Sequence, residues 1–71
     1  MSLTELVRII ESAGAAYVGF QSETIQGRRI ELVYFNDPMT GTTLTLAPGE
    51  VTVERVQAAI QASRERWRKA A

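Results

Sequence analysis

The last third of the chain, PGEVTVERVQAAIQASRERWRKAA at residues 48–71, carries the most regular pattern in the sequence. Five of its residues recur at steps of three and four, which places them on one stripe of a helix: Val53, Val56, Ile60, Ser63 and Trp67. Thr52 is a predicted N-cap, and Val51 and Val56 are spaced for a hydrophobic staple. Pro48-Gly49 ends the preceding element. The stretch therefore predicts a long C-terminal helix whose last turns outrun a small sheet.

A shorter helix is predicted at the other end of the chain. Ser2 and Glu5 have the spacing of a capping box. An apolar stripe follows, made of Leu3, Leu6, Val7, Ile10 and Ala13. Gly14 stands where a left-handed residue commonly terminates a helix, so the first helix is predicted to end near Ala13.

Between the helices the pattern changes to a period of two, which is typical of strands. Three strands are predicted at residues 16–21, 28–35 and 42–46, with a turn at Ser22–Gly27. Asp37 and Pro38 open a predicted hairpin loop of five residues, 37–41, which sets Tyr34 opposite Leu44.

These elements predict one small α+β domain over residues 1–71. Its expected architecture is a two-layer α-β-β-β-α fold, with a three-stranded antiparallel meander and both helices packed on one face. The even-numbered face is uniformly apolar and is the expected core side: Ala16, Val18, Phe20, Ile30, Leu32, Tyr34, Leu44 and Leu46. The odd-numbered face is then expected to be open.

The composition limits the chemistry that the chain can perform. It has 71 residues and neither Cys nor His, so imidazole bases, thiolate nucleophiles and the usual zinc ligands are excluded. We predict no catalytic residues, no metal site and no cofactor, and therefore no enzymatic activity. A chain of this length buries only about 60% of its unfolded surface. Self-association is therefore an expected source of stability.

No signal peptide or membrane-length apolar run is found, so we expect a soluble cytoplasmic protein without membrane partners. Its size and composition favour an accessory protein of a bacterium or phage as a working hypothesis.

The net charge is zero, but the charges are unevenly distributed. Three basic and seven acidic residues precede Arg55, whereas five basic residues and one acidic residue lie from Arg55 onward. Cations in the last turns of a helix complement its dipole. The alternative is that they bind a partner of opposite charge.

The predicted function is that of a non-catalytic protein-interaction module, expected to form a homodimer or to bind another protein. Self-association through the open sheet face or an exposed edge is the expected mode. The alternative for that face is ordinary cross-strand packing on a wetted surface. The candidate partner-binding residues lie on the odd-numbered face and at the end of the last helix: Tyr17, Arg29, Val33, Phe35, Thr43, Arg64, Trp67 and Arg68.

Nucleic-acid binding through the basic C-terminal helix is the alternative function. The order of one helix, three strands and one helix resembles that of double-stranded-RNA-binding domains and of small HicA-type RNA-cleaving toxins. The resemblance implies RNA as a partner. It is one of topology, because the second helix begins here with Glu50, Thr52, Glu54 and Arg55 where the RNA-binding family has a lysine-rich patch. The histidine that the toxins use in the first strand region has no counterpart.

Overall fold

The computed structural model describes residues 1–70. Within these residues, two helices and three strands occur in the predicted order, and a short 3-10 turn at Pro48–Glu50 precedes the second helix. The elements are α1 (Leu3–Ser12), β1 (Ala16–Ile25), β2 (Arg28–Asn36), β3 (Thr43–Leu46) and α2 (Val53–Ala70). The strands form an antiparallel meander in the order β1-β2-β3. The α+β class and the chain order are therefore confirmed.

The predicted helix caps are present. The Ser2 hydroxyl accepts a hydrogen bond from the Glu5 amide at 3.2 Å, and the Thr52 hydroxyl accepts one from the Arg55 amide at 3.1 Å. Gly14 follows α1 with φ at 87°, a left-handed conformation that glycine adopts without steric cost. Local sequence is thus sufficient to place the start of each helix and the end of α1.

The core lies on the opposite side of the sheet from the one predicted. Val33 and Phe35, which were expected on the open face, are fully buried, whereas Ile30 is exposed. Side chains from both helices, from the residue before β1 and from the turn before α2 complete the core: Leu6, Ile10, Ala15, Val51, Val56 and Ile60. The helices do pack on one face, but it is the face of Val33 and Phe35.

The face is reversed because β2 is only partly covered by the helices. Its first half, including Arg29 and Ile30, is exposed, and only its second half, with Val33 and Phe35, lies beneath them. The apolar residues of the whole strand favour the face of Ile30, Leu32 and Tyr34. Burial requires a covering element, so only the residues in the covered half of β2 determine which face is the core.

A β-bulge in β1 also changes which residues share a face. Tyr17 pairs with Phe35, but Gly19 pairs with Tyr34, which leaves Val18 as an extra residue. After the bulge, Phe20 lies opposite Val33 on the core side. The prediction that Phe20 shares a face with Ile30 and Leu32 is therefore wrong.

The predicted pairing of β2 with β3 is wrong by one residue. Leu44 lies opposite Phe35 and Leu46 opposite Val33, so both leucines point toward the core. The connection spans six residues, 37–42, and is closed by a hydrogen bond from the Asp37 amide to the Thr42 carbonyl at 2.9 Å. A slip of one residue exchanges the faces, which is why Leu44 and Leu46 could be assigned to the core with the wrong partners.

The turn predicted at Ser22–Gly27 is much shorter than expected. β1 continues to Ile25, and β2 begins at Arg28, so only Gln26 and Gly27 form the connection. Both have positive φ, 52° and 78°, as in the type I′ turn that matches strand twist. β1 and β2 therefore form a longer hairpin than expected.

Candidate protein-interaction surface

The distal half of the β1–β2 hairpin extends beyond the helix layer. Every residue from Gln21 to Ile30 is exposed. We call this segment, residues 21–30, the ribbon. β3 pairs only with residues 33–36 of β2 and so does not reach it. A two-stranded ribbon is only marginally stable by itself in water, so the ribbon depends on its attachment to the body of the domain.

β1 forms one edge of the sheet along its whole length. Within residues 1–70, no strand pairs with the side of β1 that faces away from β2. The opposite edge is β3, which has only four residues. The two edges are therefore unequal, and β1 offers the longer row of backbone donors and acceptors.

The turn determines which backbone groups face the open edge. In a hairpin with a two-residue turn, the flanking residues, here Ile25 and Arg28, exchange hydrogen bonds, and this pattern alternates along the strands. Residues 25, 23 and 21 of β1 thus use their amides and carbonyls to bind β2. The amides and carbonyls of Phe20, Ser22 and Thr24 point to the open edge.

An apolar groove lies beside this edge, between the start of α1 and β1. It has a volume of about 270 Å³ and is lined by Met1, Leu3, Leu6, Tyr17 and Phe20. Leu6 is buried at its base, whereas Met1, Leu3 and Phe20 are exposed, Phe20 to 44%. Large exposed apolar side chains beside an unpaired edge are typical of a protein-binding surface.

A second cluster joins the β2–β3 connection to α2. The Asp37 carboxylate is fully buried and accepts two hydrogen bonds from Arg64, Nε to Oδ2 at 2.8 Å and Nη2 to Oδ1 at 2.9 Å. The Met39 amide donates to Oδ1 at 3.0 Å and the Thr40 hydroxyl to Oδ2 at 3.2 Å. All the oxygen acceptors of Asp37 are thereby occupied, as buried charge requires.

The electrostatics of this pair follow from its geometry. The hydrogen bonds from Arg64 hold the pKa of Asp37 well below its usual range, against the opposing effect of burial. The hydrogen bonds to Asp37 raise the pKa of Arg64. Asp37 is therefore a structural anchor that is charged at neutral pH, with no free lone pair directed to a substrate.

Within residues 1–70, no three side chains of the types that bind metal ions converge on one point. In the same range no helix combines the length and the apolar character needed to cross a bilayer.

The eight predicted partner-binding residues are dispersed. Val33 and Phe35 lie in the core, and Tyr17 packs against it while also lining the groove. Arg29 is on the ribbon, where its Nε donates to the Ser22 hydroxyl at 3.1 Å. Thr43 is exposed on β3.

The remaining three predicted residues belong to α2. Arg64 is engaged by Asp37, so it acts within the fold. Trp67 is 58% exposed, and its indole N–H donates to the Thr42 hydroxyl at 2.9 Å. Arg68 is exposed. The sheet residues of this set therefore do not share one open face, because Val33 and Phe35 are buried.

Leu3, Phe20 and the edge positions Ser22 and Thr24 were missed as candidate residues. The sequence predicts both Leu3 and Phe20 to be buried, Leu3 on the core stripe of α1 and Phe20 on the core side of the sheet, whereas both are exposed. Gln26-Gly27 was the available signal for the ribbon, because a glycine at the second position of a two-residue turn favours a tight hairpin.

Comparison of the chain with protein-family models, curated proteins and solved structures gives no significant match. The likeness in element order to RNA-binding domains and RNA-cleaving toxins is thus unaccompanied by a match in sequence or structure.

Proposed function

We propose that this protein is a small non-catalytic interaction module that binds another protein molecule through the open edge of β1 and the adjacent groove. The observation that carries the proposal is the coincidence of these two features. Backbone groups at Phe20, Ser22 and Thr24 supply directional hydrogen bonds, and the exposed groove at Met1 and Leu3 supplies apolar area.

The remaining features of the molecule support a role in binding. The hydrogen bonds between Asp37 and Arg64 lie within the chain and link α2 to the β2–β3 connection. Without His or Cys, the chain also has few groups suited to general acid-base or nucleophilic catalysis. The absence of Cys fits a reducing compartment, so we place the protein in the cytoplasm as part of this proposal.

The proposal is tested by affinity capture with tagged wild-type protein and two matched variants. Phe20 and Ile30 are similarly exposed, 44% and 40%, but lie on opposite faces of the sheet. Phe20→Glu places a charge beside the groove. Ile30→Glu places one on the sheet face that the helices do not cover, which we call the bare face. An extract that contains untagged copies of the same protein allows both like and unlike partners to be captured.

We expect Phe20→Glu to lose capture of the partner and Ile30→Glu to retain it. Loss with Ile30→Glu alone would assign binding to the bare face and overturn the proposed surface. Equal capture by all three proteins would also overturn it. Circular dichroism of both variants verifies that each still folds.

The exposed cations near the end of α2 favour nucleic-acid binding as a second candidate function. Arg66, Arg68 and Lys69 are all exposed, although Arg64 is engaged by Asp37 and so is removed from this set. Binding of this kind falls steeply with added salt. Replacement of Arg66 and Arg68 by Gln should then weaken binding to mixed-sequence RNA at low salt. No binding by the wild type would eliminate this function.

A further inference from the structure

The open edge of β1 has few of the features that prevent edge strands from pairing. Such strands are usually short or carry Pro, Lys or inward-pointing charge. From Gly19 to Ile25, β1 has neither Pro nor Lys and a single charged residue, Glu23. β3 is short and lies between Pro38 and Pro48. The β1 edge is thus the one suited to accept another strand.

We propose that the occupant of this edge is a second copy of the same chain, paired antiparallel β1 to β1 about a two-fold axis that passes beside Ser22. The inference rests on the proposed function, because it names the partner of the same surface. The two three-stranded sheets then join as one six-stranded sheet in the order β3-β2-β1-β1-β2-β3. Two-fold symmetry with identical contacts on both copies is the commonest form of protein dimer.

The shape of β1 selects this register. The bulge ends at Gly19 and the turn begins after Ile25, so the regular stretch is 19–25, which is centred on Ser22. Pairing centred on Glu23 would set that carboxylate opposite its own copy, which is destabilising. Pairing centred on Gln21 would bring the irregular residue Val18 into the ladder.

The pairing also satisfies the backbone groups left open in one copy. Ser22 lies opposite Ser22 of the second copy, and Phe20 lies opposite Thr24. These are the residues whose amides and carbonyls point outward, so each acquires a hydrogen-bonding partner. On the other face, Gln21 lies opposite Glu23, an uncharged and a charged side chain able to hydrogen-bond.

The dimer places the part of one sheet that is covered by helices beside the uncovered ribbon of the other copy. Phe20 and the groove at Leu3 lie on the helix-covered face, and Thr24 lies on the same face of the ribbon, which no helix of its own chain covers. The second copy therefore places its ribbon beside the groove, where Phe20 can lose contact with water.

The exposed area of the chain is consistent with such a dimer. The accessible surface is 4931 Å² for a mass of 7.9 kDa, whereas a folded monomer of this mass has about 4,400 Å². Two copies thus carry roughly 1,000 Å² of additional surface, which approaches the approximately 1,200 Å² at the lower end of stable interfaces.

The absence of cysteine from the chain permits a clean cross-linking test. In the proposed register, Ser22→Cys sets two thiols on directly opposed residues, with Cα atoms about 5.5 Å apart, within the range that a disulfide requires. Gln21→Cys and Glu23→Cys are matched controls. Each is diagonal to its own copy at about 8 Å, although the two lie opposite each other.

We expect the wild-type protein to have twice its monomer mass in solution. Ser22→Cys should form covalent dimers under mild oxidation faster than Gln21→Cys or Glu23→Cys alone, and mixing those two variants should restore rapid linkage. Thr43→Cys, on the opposite edge, should link most slowly. The inference would be overturned if Thr43→Cys linked fastest. It would also be overturned if the wild-type protein were a monomer at every concentration at which it captures a partner.

Variants that block the edge provide a second test. The Ser22 amide points away from β2, so Ser22→Pro removes a donor to the second copy without removing one within the hairpin. Thr24→Lys places a charge on the same edge and keeps the test informative if the proline variant does not fold. Both should halve the solution mass, and a dimer that survives both changes would contradict the pairing.

These outcomes separate this inference from the proposed function. Capture of an unlike protein by a wild-type monomer, abolished by Phe20→Glu, would refute the dimer and uphold the interaction surface. Both the dimer inference and the proposed surface would be refuted if Phe20→Glu formed a normal dimer and Ser22→Cys failed to form covalent dimers.

Discussion

At the scale of single residues, Asp37 shows how a local pattern can conceal a tertiary role. Its position before Pro38 predicts a turn residue, and the loop does begin there. Burial against α2 adds a second role, because Arg64, which is 27 positions away, donates two hydrogen bonds to its carboxylate. No short-range pattern indicates this partner.

The Asp37–Arg64 pair should make stability depend on pH in the acid range. The pKa of Asp37 is lower in the folded chain than in the unfolded chain, where that of an aspartate is about 3.9. The pair therefore stabilises the fold above that pH, and the stabilisation is lost progressively as the pH falls below it. Thermal melts from neutral to strongly acid pH measure this loss.

Asp37→Asn is the matched variant for that measurement. It should lower the melting temperature at neutral pH, because Arg64 loses its charged partner. It should also flatten the pH dependence between neutral and acid conditions. A variant that melts with the same pH dependence as the wild type would show that Asp37 is not the group responsible.

Phe35 and Ile30 provide a direct test of which sheet face is the core. Phe35→Ala should destabilise the domain by about 3–5 kcal/mol, the range for a buried aromatic side chain. Ile30→Ala should cost less than about 1 kcal/mol, since Ile30 is exposed. Chemical denaturation gives both values, and the reverse order would restore the face predicted from sequence.

At the scale of elements, the two halves of the β1–β2 hairpin differ in burial. Its proximal half carries Val33 and Phe35 beneath the helices, and its distal half, the ribbon, contributes little buried area. Local opening should therefore occur first in the ribbon, where apolar contacts are few and the backbone is exposed to water. The same exposure makes its edge available for binding.

Gln26→Asn should make the ribbon more protected from hydrogen exchange. Gln26 has φ at 52°, a conformation that Asn adopts more readily, and Asn-Gly is a preferred type I′ turn. We expect slower amide exchange at Ile25 and Arg28, equivalent to a few tenths of a kcal/mol, with little change in global melting. Gln61→Asn, at an exposed position of α2, is the control and should leave exchange in the ribbon unchanged.

At the scale of the whole molecule, the chain is extended for its length. The radius of gyration is 12.7 Å, compared with about 11 Å for a typical domain of 71 residues. The principal extents are 40, 28 and 17 Å. A shape of this kind exposes surface that a more nearly spherical monomer would bury, and a dimer is one way to recover it.

Stability should consequently depend on protein concentration. If folding and β1 pairing are linked, the melting temperature of the wild type should rise with concentration, because association stabilises the folded state by mass action. Ser22→Pro should remove the dependence. A wild-type melting temperature that is constant over a wide concentration range would argue against the dimer.

The sequence by itself determined the local features of this protein. Ser2, Thr52 and Gly14 mark helix ends through contacts with residues close in the chain, and these predictions are confirmed. The order of elements and the antiparallel meander also followed, since short connections leave adjacent strands few other arrangements. Each of these depends on interactions between neighbours in sequence.

Only the tertiary structure decided which sheet face became the core and which edge remained open. The extra residue Val18 reverses the alternation of β1, and the helices cover only the half of β2 that carries Val33 and Phe35. The physical reason is that burial depends on where covering elements end in space. A strand's periodicity defines two faces, but it does not define which one another element will cover.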